Sequence, residues 1–495
     1  MRIINIFFLP ISTAFLNKNI LPKLYSLKKN THVKDYSKKI NLSTRYKNNI
    51  KNEEPYNKIV NDVKKMSLPL LVIWFSNPLL SLVDTISVGK VSSITELASL
   101  GPATALCDTG GNIFSFISIV TTCRVAKEFA KKDEKKMTHI LNDSFIVSFL
   151  FGIIISISMF NSLGINILKL FLGNPGDLSE ASLLIPGAMK YIKIRAIGYI
   201  PSLMTSQLQS YAIAKRNVKM PLKTVALSTL INIVTDYILV IHLKFGLVGA
   251  AWATVLAQIS SFFYMLSYLI QEKKTYTDCR IIKVRIKELI LFLKQCGGPA
   301  ISNIGRAGIL ISTSSLCSGC GTVSVAAHQI ILSWFYLFCP IGEAVSQTVM
   351  NLLPSYLHLK NKSFTKDTQS FVSTMSKVAL FFGVIDACSV VVPAYLPNLF
   401  THSLEVSNQI HSLSPYLLIA LFTHVIACFF EGILFAMGDT NFLAVMYSLN
   451  MIIVASLHNI LTFININTLW MIYVFSIIAR SIEFSFRFYF KYSKG

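Results

Sequence analysis

The sequence predicts an all-α polytopic membrane protein, with twelve transmembrane helices in two pseudo-symmetric six-helix lobes. Three observations lead there. Apolar residues make up 53% of the 495 and charged residues only 14%, against about 25% charged in an ordinary soluble domain. Mean hydropathy is +0.56. Past residue 65 the chain alternates long uncharged windows with short charged or polar breaks. That composition excludes a disordered chain, a disulfide scaffold and a soluble enzyme. Nine cysteines at irregular spacings, several in apolar windows, fit no disulfide framework.

The first element, residues 1–65, reads as a targeting or basic segment. Residues 3–16 (IINIFFLPISTAFL) follow Arg2 and are too short to cross a bilayer. The Lys-, Asn- and Ser-rich stretch behind them meets its first acid at Asp35, which resembles a two-part organelle address. A basic tail on an anionic membrane surface is the alternative. Residues 1–66 hold 14 Lys/Arg against 4 Asp/Glu, so much of the net charge of +22 precedes the first span. The remainder lies mostly in short loops without the aromatic surface that nucleic-acid binding needs, and no nucleic-acid partner is expected.

The spans then follow at approximately 66–89, 96–123, 140–161, 187–213, 220–242, 246–270, 289–317, 322–356, 370–396, 412–437, 441–464 and 468–490. Each is near the roughly 20 residues that hydrocarbon requires of a helix. None shows a barrel's alternation, and only helices satisfy their own backbone in lipid. With the N-terminus inside, the inside loops 124–137, 214–223, 271–294 and 358–369 carry net charges of +3, +4, +4 and +2. The outside loops 90–96, 162–186 and 397–411 come to zero or −1. Loop 438–441, with only Asp439, is the exception to this positive-inside pattern.

The polar segment 271–288 separates an N-lobe at 66–270 from a C-lobe at 289–495. Faint echoes link the halves: Pro69 with Pro299, Leu97-Ala98-Ser99 with Val325-Ala326-Ala327, and Ala214–Asn217 with Ala436–Asp439. Parallel repeats of this kind place solute sites between the halves near the membrane midplane. The expected partners are a small organic solute and the bilayer, and the chain is expected to work as a monomer.

Charged groups inside the membrane are costly, and so they mark function. Asp84 lies late in the first span, and Asp236 in the fifth with Asn232 one turn before it. An amide beside a carboxylate suits a group that gains and loses a proton. The plainer readings are an interfacial helix end for Asp84 and a polar helix contact for Asp236. Further acids are Asp108, Glu343, Asp386 and Glu431, and the cations are Arg195, Arg306 and Arg480. Arg195, Arg306, Glu343 and Glu431 are the candidates for lining a solute cavity, with mutual pairing as the plainer alternative. His328 and His424 fit packing roles. Cys317-x-x-Cys320 lacks a second ligand pair, so no metal is expected. No hydrolase, zincin or phosphate-loop motif stands in the chain, and neither an enzyme nor a bound cofactor is expected.

Several stretches, in order over about residues 66–490, resemble the multidrug and toxic compound extrusion (MATE) family in its plastid-type plant subgroup. They are PLLSLVDTISVGKVSSITELASLGPATALCD (78–108), YIKIRAIGY (191–199), PLKTVALSTLINIVTD (221–236), GLVGAAWATVLAQ (246–258), AAHQIILSWFYLFCPIGEAVSQT (326–348) and EGILFAMGDTNF (431–442). The resemblance implies a MATE/MOP-type fold: a V-shaped pair of lobes acting as a secondary antiporter that exports organic ions or drugs against H⁺ or Na⁺. It implies that Asp84, Asn232 and Asp236 form the N-lobe cation-coupling site. Arg306 stands where many eukaryotic members carry a seventh-helix glutamate, and Glu431 resembles the plastid subgroup's glutamate in the tenth helix. That subgroup includes a carrier linked to export of a small aromatic acid, and Arg306 would suit an anionic substrate. The resemblance implies a plastid-type organelle membrane, with plasma or vacuolar membrane as the alternative. The competing functions are a lipid-linked precursor flippase of the same superfamily and a non-MATE organelle solute carrier.

The loop charges set a topology test. With Lys131→Cys and Glu405→Cys introduced singly into a cysteine-free chain, an impermeant maleimide should reach the two positions from opposite sides. Labelling of both from one side would overturn the span count.

Overall fold

In the computed structural model the described residues are 38–92, 94–172, 183–274, 286–317, 320–357, 365–401, 403–460 and 465–493. The expected address within 1–37 and the inter-lobe residues 275–285 lie outside them. The chain divides into two compact units, Met1–Lys58 and Ile59–Gly495. Of the first, the described part is the opening of the helix Lys38–Val91. The second holds every other element.

Among the described residues the fold is helical with no strand. Nine helical stretches there are long and apolar enough to cross a membrane by length and composition. The other three expected spans also fall on helices: Lys38–Val91, the pair Ile185–Ile197 and Tyr199–Ala214, and Ile286–Cys317. The fourth span carries Lys190, Lys193 and Arg195, and the seventh Lys294 and Arg306, which makes both less apolar. Helix starts are set by short polar caps. Asp133 accepts from the Lys136 N–H at 3.1 Å, Thr365 from Thr368 at 3.3 Å and Asn465 from Thr468 at 2.8 Å, each satisfying one orphan donor. The tenth span ends on Gly438 at φ +79°, a left-handed turn that glycine adopts without a Cβ penalty.

Asp439 follows that turn. Arg487 and Lys491 of the twelfth span reach it at 2.8 and 2.9 Å. Burial would raise its carboxyl, but these hydrogen bonds and charges outweigh it and hold Asp439 below the usual carboxylate range. Loop 438–441 thus draws its cations from a neighbouring helix, which accounts for the one exception in the loop-charge pattern.

Several spans are interrupted, a feature that periodicity does not reveal. The second breaks between Ile94–Ile113 and Phe116–Ala130, and its counterpart, the eighth, between Thr322–Phe338 and Pro340–Tyr356. Pro340 opens a helix, where its missing N–H costs nothing. The fourth breaks at Gly198, and the ninth between Lys366–Ser389 and Val391–Tyr395. The fifth turns into a π-helix at Tyr237–His242, directly after Asp236.

The hydrophobic cores divide by depth. Towards the outside each half has its own: Val88, Leu106, Ile192 and Leu247 belong to the N-terminal half, and Ile331, Leu417, Trp470 and Val474 to the C-terminal half. Towards the inside the cores are shared. Ile59, Met66 and Leu70 pack with Leu353, Phe371 and Phe429, and Val125 and Leu141 pack with Phe292 and Cys296. The shared cores lie at the end bearing the basic loops and the separate ones at the other, an arrangement that is outward-open on the orientation the loop charges predict.

Polar contacts close the inside seam. Asp62 accepts from Arg216 Nη1 at 3.3 Å and from the Tyr356 hydroxyl at 2.9 Å, tying the first span to both halves. Nearer the middle, Trp74 Nε1 donates to Gln347 at 2.8 Å. Two charge-assisted bonds at a half-buried carboxylate contribute about 1–2 kcal/mol together. Asp62→Asn should therefore populate the inward-open state roughly ten-fold more. The check is maleimide labelling of Ala344→Cys, buried in the shared core. An unchanged labelling rate would mean that Asp62 does not hold the seam.

Candidate functional site

The site is built by four helices of the N-terminal half. Asp84 comes from the first span, Asp108 from the second, Arg195 from the fourth and Asp236 from the fifth. Asp84 and Asp236 are buried, at 4% and 1% exposure. Their carboxyl groups lie close enough to influence each other. Two carboxylates repel at close range, and a proton placed between them relieves that repulsion. Thr254 of the sixth span adds a long hydrogen bond to Asp84 at 3.4 Å. Arg195 donates to Asp108 at 3.1 Å and to the Tyr191 hydroxyl at 3.4 Å. Its charge and that of Asp108 both act on Asp84. Asp108 has a side chain 53% exposed, and an open charge at this depth belongs in a water-filled cleft rather than lipid. The outward opening between the halves supplies one.

The charge count in this half decides what the site can do. Three carboxyls, Asp84, Asp108 and Asp236, share one guanidinium, Arg195. A proton on the Asp84–Asp236 pair removes one of the unmatched charges.

The C-terminal half is arranged differently. Arg306 Nη1 donates to Glu343 at 2.7 Å, and Nη2 to Glu431 at 2.6 Å and to the Tyr447 hydroxyl at 2.9 Å. Arg480 Nη1 reaches the same hydroxyl at 3.1 Å. Both guanidinium carbons lie 5.4 Å from the Tyr447 ring centroid. The seventh and eleventh helices approach this closely because of Gly305, where a Cβ would meet Tyr447 atoms at 3.0 Å. Two glutamates face two arginines, so this cluster is balanced without a proton. Arg306 and Glu343 remain 32% and 26% exposed towards the opening, whereas Glu431 is sealed at 3%.

Comparison with known proteins agrees with this geometry. A family model described as MatE matches residues 69–238. The Arabidopsis thaliana protein DETOXIFICATION 47, chloroplastic, is 29% identical over 397 residues, covering 79% of this chain and 70% of that protein. Over these stretches the chain is similar to the MATE family. DETOXIFICATION 44, chloroplastic, of the same plant is 27% identical over 311 residues, 60% of this chain and 57% of that one. A mutant form of the Vibrio cholerae MATE transporter VcmN superposes with a TM-score of 0.73 at 16% identity, covering 88% of this chain and 98% of that chain. At that identity the likeness carries the fold, which is that of the MATE transporters. The chain accordingly has the helical fold of these membrane transporters, with nine described helical stretches long and apolar enough to cross a bilayer.

The structure sorts the expected residues into two groups. Asp84 and Asp236 lie close together, and Arg195 pairs with Asp108. Arg306, Glu343 and Glu431 converge. Asn232 is buried at 1% exposure beside Asp236 on the same helix, and its Oδ1 and both Asp236 carboxyl oxygens have no hydrogen-bond partner among the described residues. Tyr447 was not anticipated, and its only signal was Gly305 one helix away.

Glu343, His424 and Cys428 lie near enough to share an ion. Glu343 is already bonded to Arg306, and that guanidinium repels a metal cation. His328 and His424 pack as expected, against Trp470 and Phe335.

Removing Arg306 would leave two glutamates facing each other, one of them sealed. Arg306→Ala should cost about 3 kcal/mol and lower the thermal midpoint of the purified protein. The double variant with Glu431→Gln should recover part of the loss. Equal midpoints for wild type and Arg306→Ala would show that the cluster is not structural.

Proposed function

We propose that this MATE transporter is an antiporter that exports organic solutes against H⁺, with Asp84 and Asp236 carrying the proton. The closeness of the two carboxyls in the N-terminal half supports this reading above all, because a shared proton turns their repulsion into a hydrogen bond. Each conformation sets its own proton affinity by how far it buries the pair and how near it brings Arg195. A proton shifts the equilibrium between states only by its differential affinity for them. In the outward-open state the pair is loaded from the outside. A change that brings Arg195 or water onto Asp84 discharges it.

Solute binds, in this reading, in the cleft between Arg195–Asp108 and Arg306–Glu343. Both pairs are partly open and each can trade its internal partner for a charged group of the solute. Arg306 favours carboxylates, and the exposed Asp108 favours cations. The name of DETOXIFICATION 47 and the basic, acid-poor residues before the first span support a plastid membrane as its location.

Proteoliposomes with an imposed pH or Na⁺ gradient and a panel of organic anions and cations test the proposal. Asp236→Asn should retain solute binding but lose gradient-driven transport by at least about ten-fold, and Asp84→Asn should do the same more weakly. Transport by Asp236→Asn at the wild-type rate with the same pH profile would make Asp236 structural. A Na⁺ gradient that drives transport where a pH gradient does not would replace the coupling ion.

A further inference from the structure

The acid with the least company lies outside the site described above. Asp386 of the ninth span is fully buried, at 0% exposure, and neither of its carboxyl oxygens has a hydrogen-bond partner among the described residues. The nearest hydroxyl along its helix is already committed. Ser389 Oγ donates to the Asp386 backbone carbonyl at 2.6 Å and accepts from Trp334 Nε1 at 3.2 Å.

No countercharge comes from the packed neighbours either. The eighth span contributes Cys339, on whose thiol the charges of both Asp386 and Glu343 act, and Glu343 itself is turned to Arg306. The tenth contributes His424, which lies 3.4 Å from Cys428. On its own helix Lys377 is about two and a half turns away.

Two helix breaks flank this carboxyl. The ninth span stops at Ser389, where the Val390 N–H turns back onto the Ala387 and Cys388 carbonyls, and resumes at Val391. The eighth stops at Phe338 and resumes at Pro340, with Cys339 between. Interrupted backbone at membrane depth is tolerated where protein or water lines it, and transporters use such breaks to hold ions. The opposite face of the ninth span carries an open, largely apolar groove lined by Val384, Ala387, Cys388, Leu418 and Phe422, which offers the carboxyl no partner. An ionised carboxylate with no partner in this setting is strongly disfavoured, whereas the acid form fits.

We propose that Asp386 is a second proton-carrying site, in the C-terminal half, loaded in the outward-open state and discharged when the eighth and ninth spans rearrange at their breaks. The bond formed is the O–H of the carboxylic acid. The proton comes from water in the outward opening and returns to water on the inside, so no other reactant is needed. This rests on the antiport reading in supplying a further proton per cycle, but its loading is measurable without any solute.

Infrared difference spectroscopy of the full-length protein in lipid nanodiscs tests it. The wild-type spectrum minus that of Asp386→Asn should contain the C=O stretch of a protonated carboxyl at neutral pH. Asp386→Glu should restore a displaced band, which separates loss of the acid from misfolding. Asp236→Asn should leave the Asp386 band in place. With a solute that the proteoliposome panel shows to be moved, Asp386→Asn should lower the protons carried per solute about two-fold. A difference spectrum flat in the acid C=O region, or an unchanged proton-to-solute ratio, overturns the proposal. If the wild type shows no gradient-driven transport but keeps the Asp386 band, the antiport reading fails and the proton site stands.

Discussion

A carboxylate inside a membrane has to be matched by a cation or by a proton, and the placement of every charged group in this chain follows from that requirement. Where guanidinium groups suffice, as with Arg306 and Arg480 against Glu343 and Glu431, the acids are held in a fixed network around Tyr447. Where they fall short, as with one arginine for Asp84, Asp108 and Asp236, the deficit is available to a mobile charge. The two halves descend through similar helices but resolve the same electrostatic problem in opposite ways. The Arg306 cluster is balanced by arginines, whereas the Asp84–Asp236 cluster keeps an excess of negative charge that a proton reduces.

The outward-open arrangement gives that difference a direction. Asp108 and the Arg306–Glu343 pair face the opening with partly exposed side chains, while the inside seam is sealed by shared cores and by Asp62. Charges that the cleft hydrates in this state would lose that water on closure. In the antiport reading, solute at the open pairs and a proton on the buried one each lower the cost of that closure. That is the physical content of antiport: occupancy by one makes closure possible, and occupancy by both is not required.

The spans were legible because their cause is one-dimensional. Uncharged windows and the Lys/Arg content of loops survive any packing arrangement, and each of the expected spans falls on a helix. Asp84 and Asp236 stood out for the same reason, as charges where charge is expensive. Partnership was not legible. Asn232 lies one turn from Asp236 and is its near neighbour by helix geometry, whereas the approach of Asp84, 152 positions away, depends on how the first and fifth spans pack. Tyr447 carried no mark of its own, since a tyrosine in an apolar window reads as a packing residue until two arginines converge on it. Helix breaks at Cys339 and Ser389 were hidden as well, because an interruption inside a buried span leaves hydropathy unchanged.

The mixed cores of the inside seam have a thermal consequence. Separating Ile59, Met66 and Leu70 from Leu353, Phe371 and Phe429 would wet apolar surface on both halves. Exposure of such surface raises heat capacity and makes the associated free energy a curved function of temperature. The balance between outward- and inward-open forms is thus itself dome-shaped with temperature. Cooling weakens the seam by the same physics that drives cold denaturation, with no helix unfolding, so the resting orientation of the transporter depends on the temperature of the membrane that holds it.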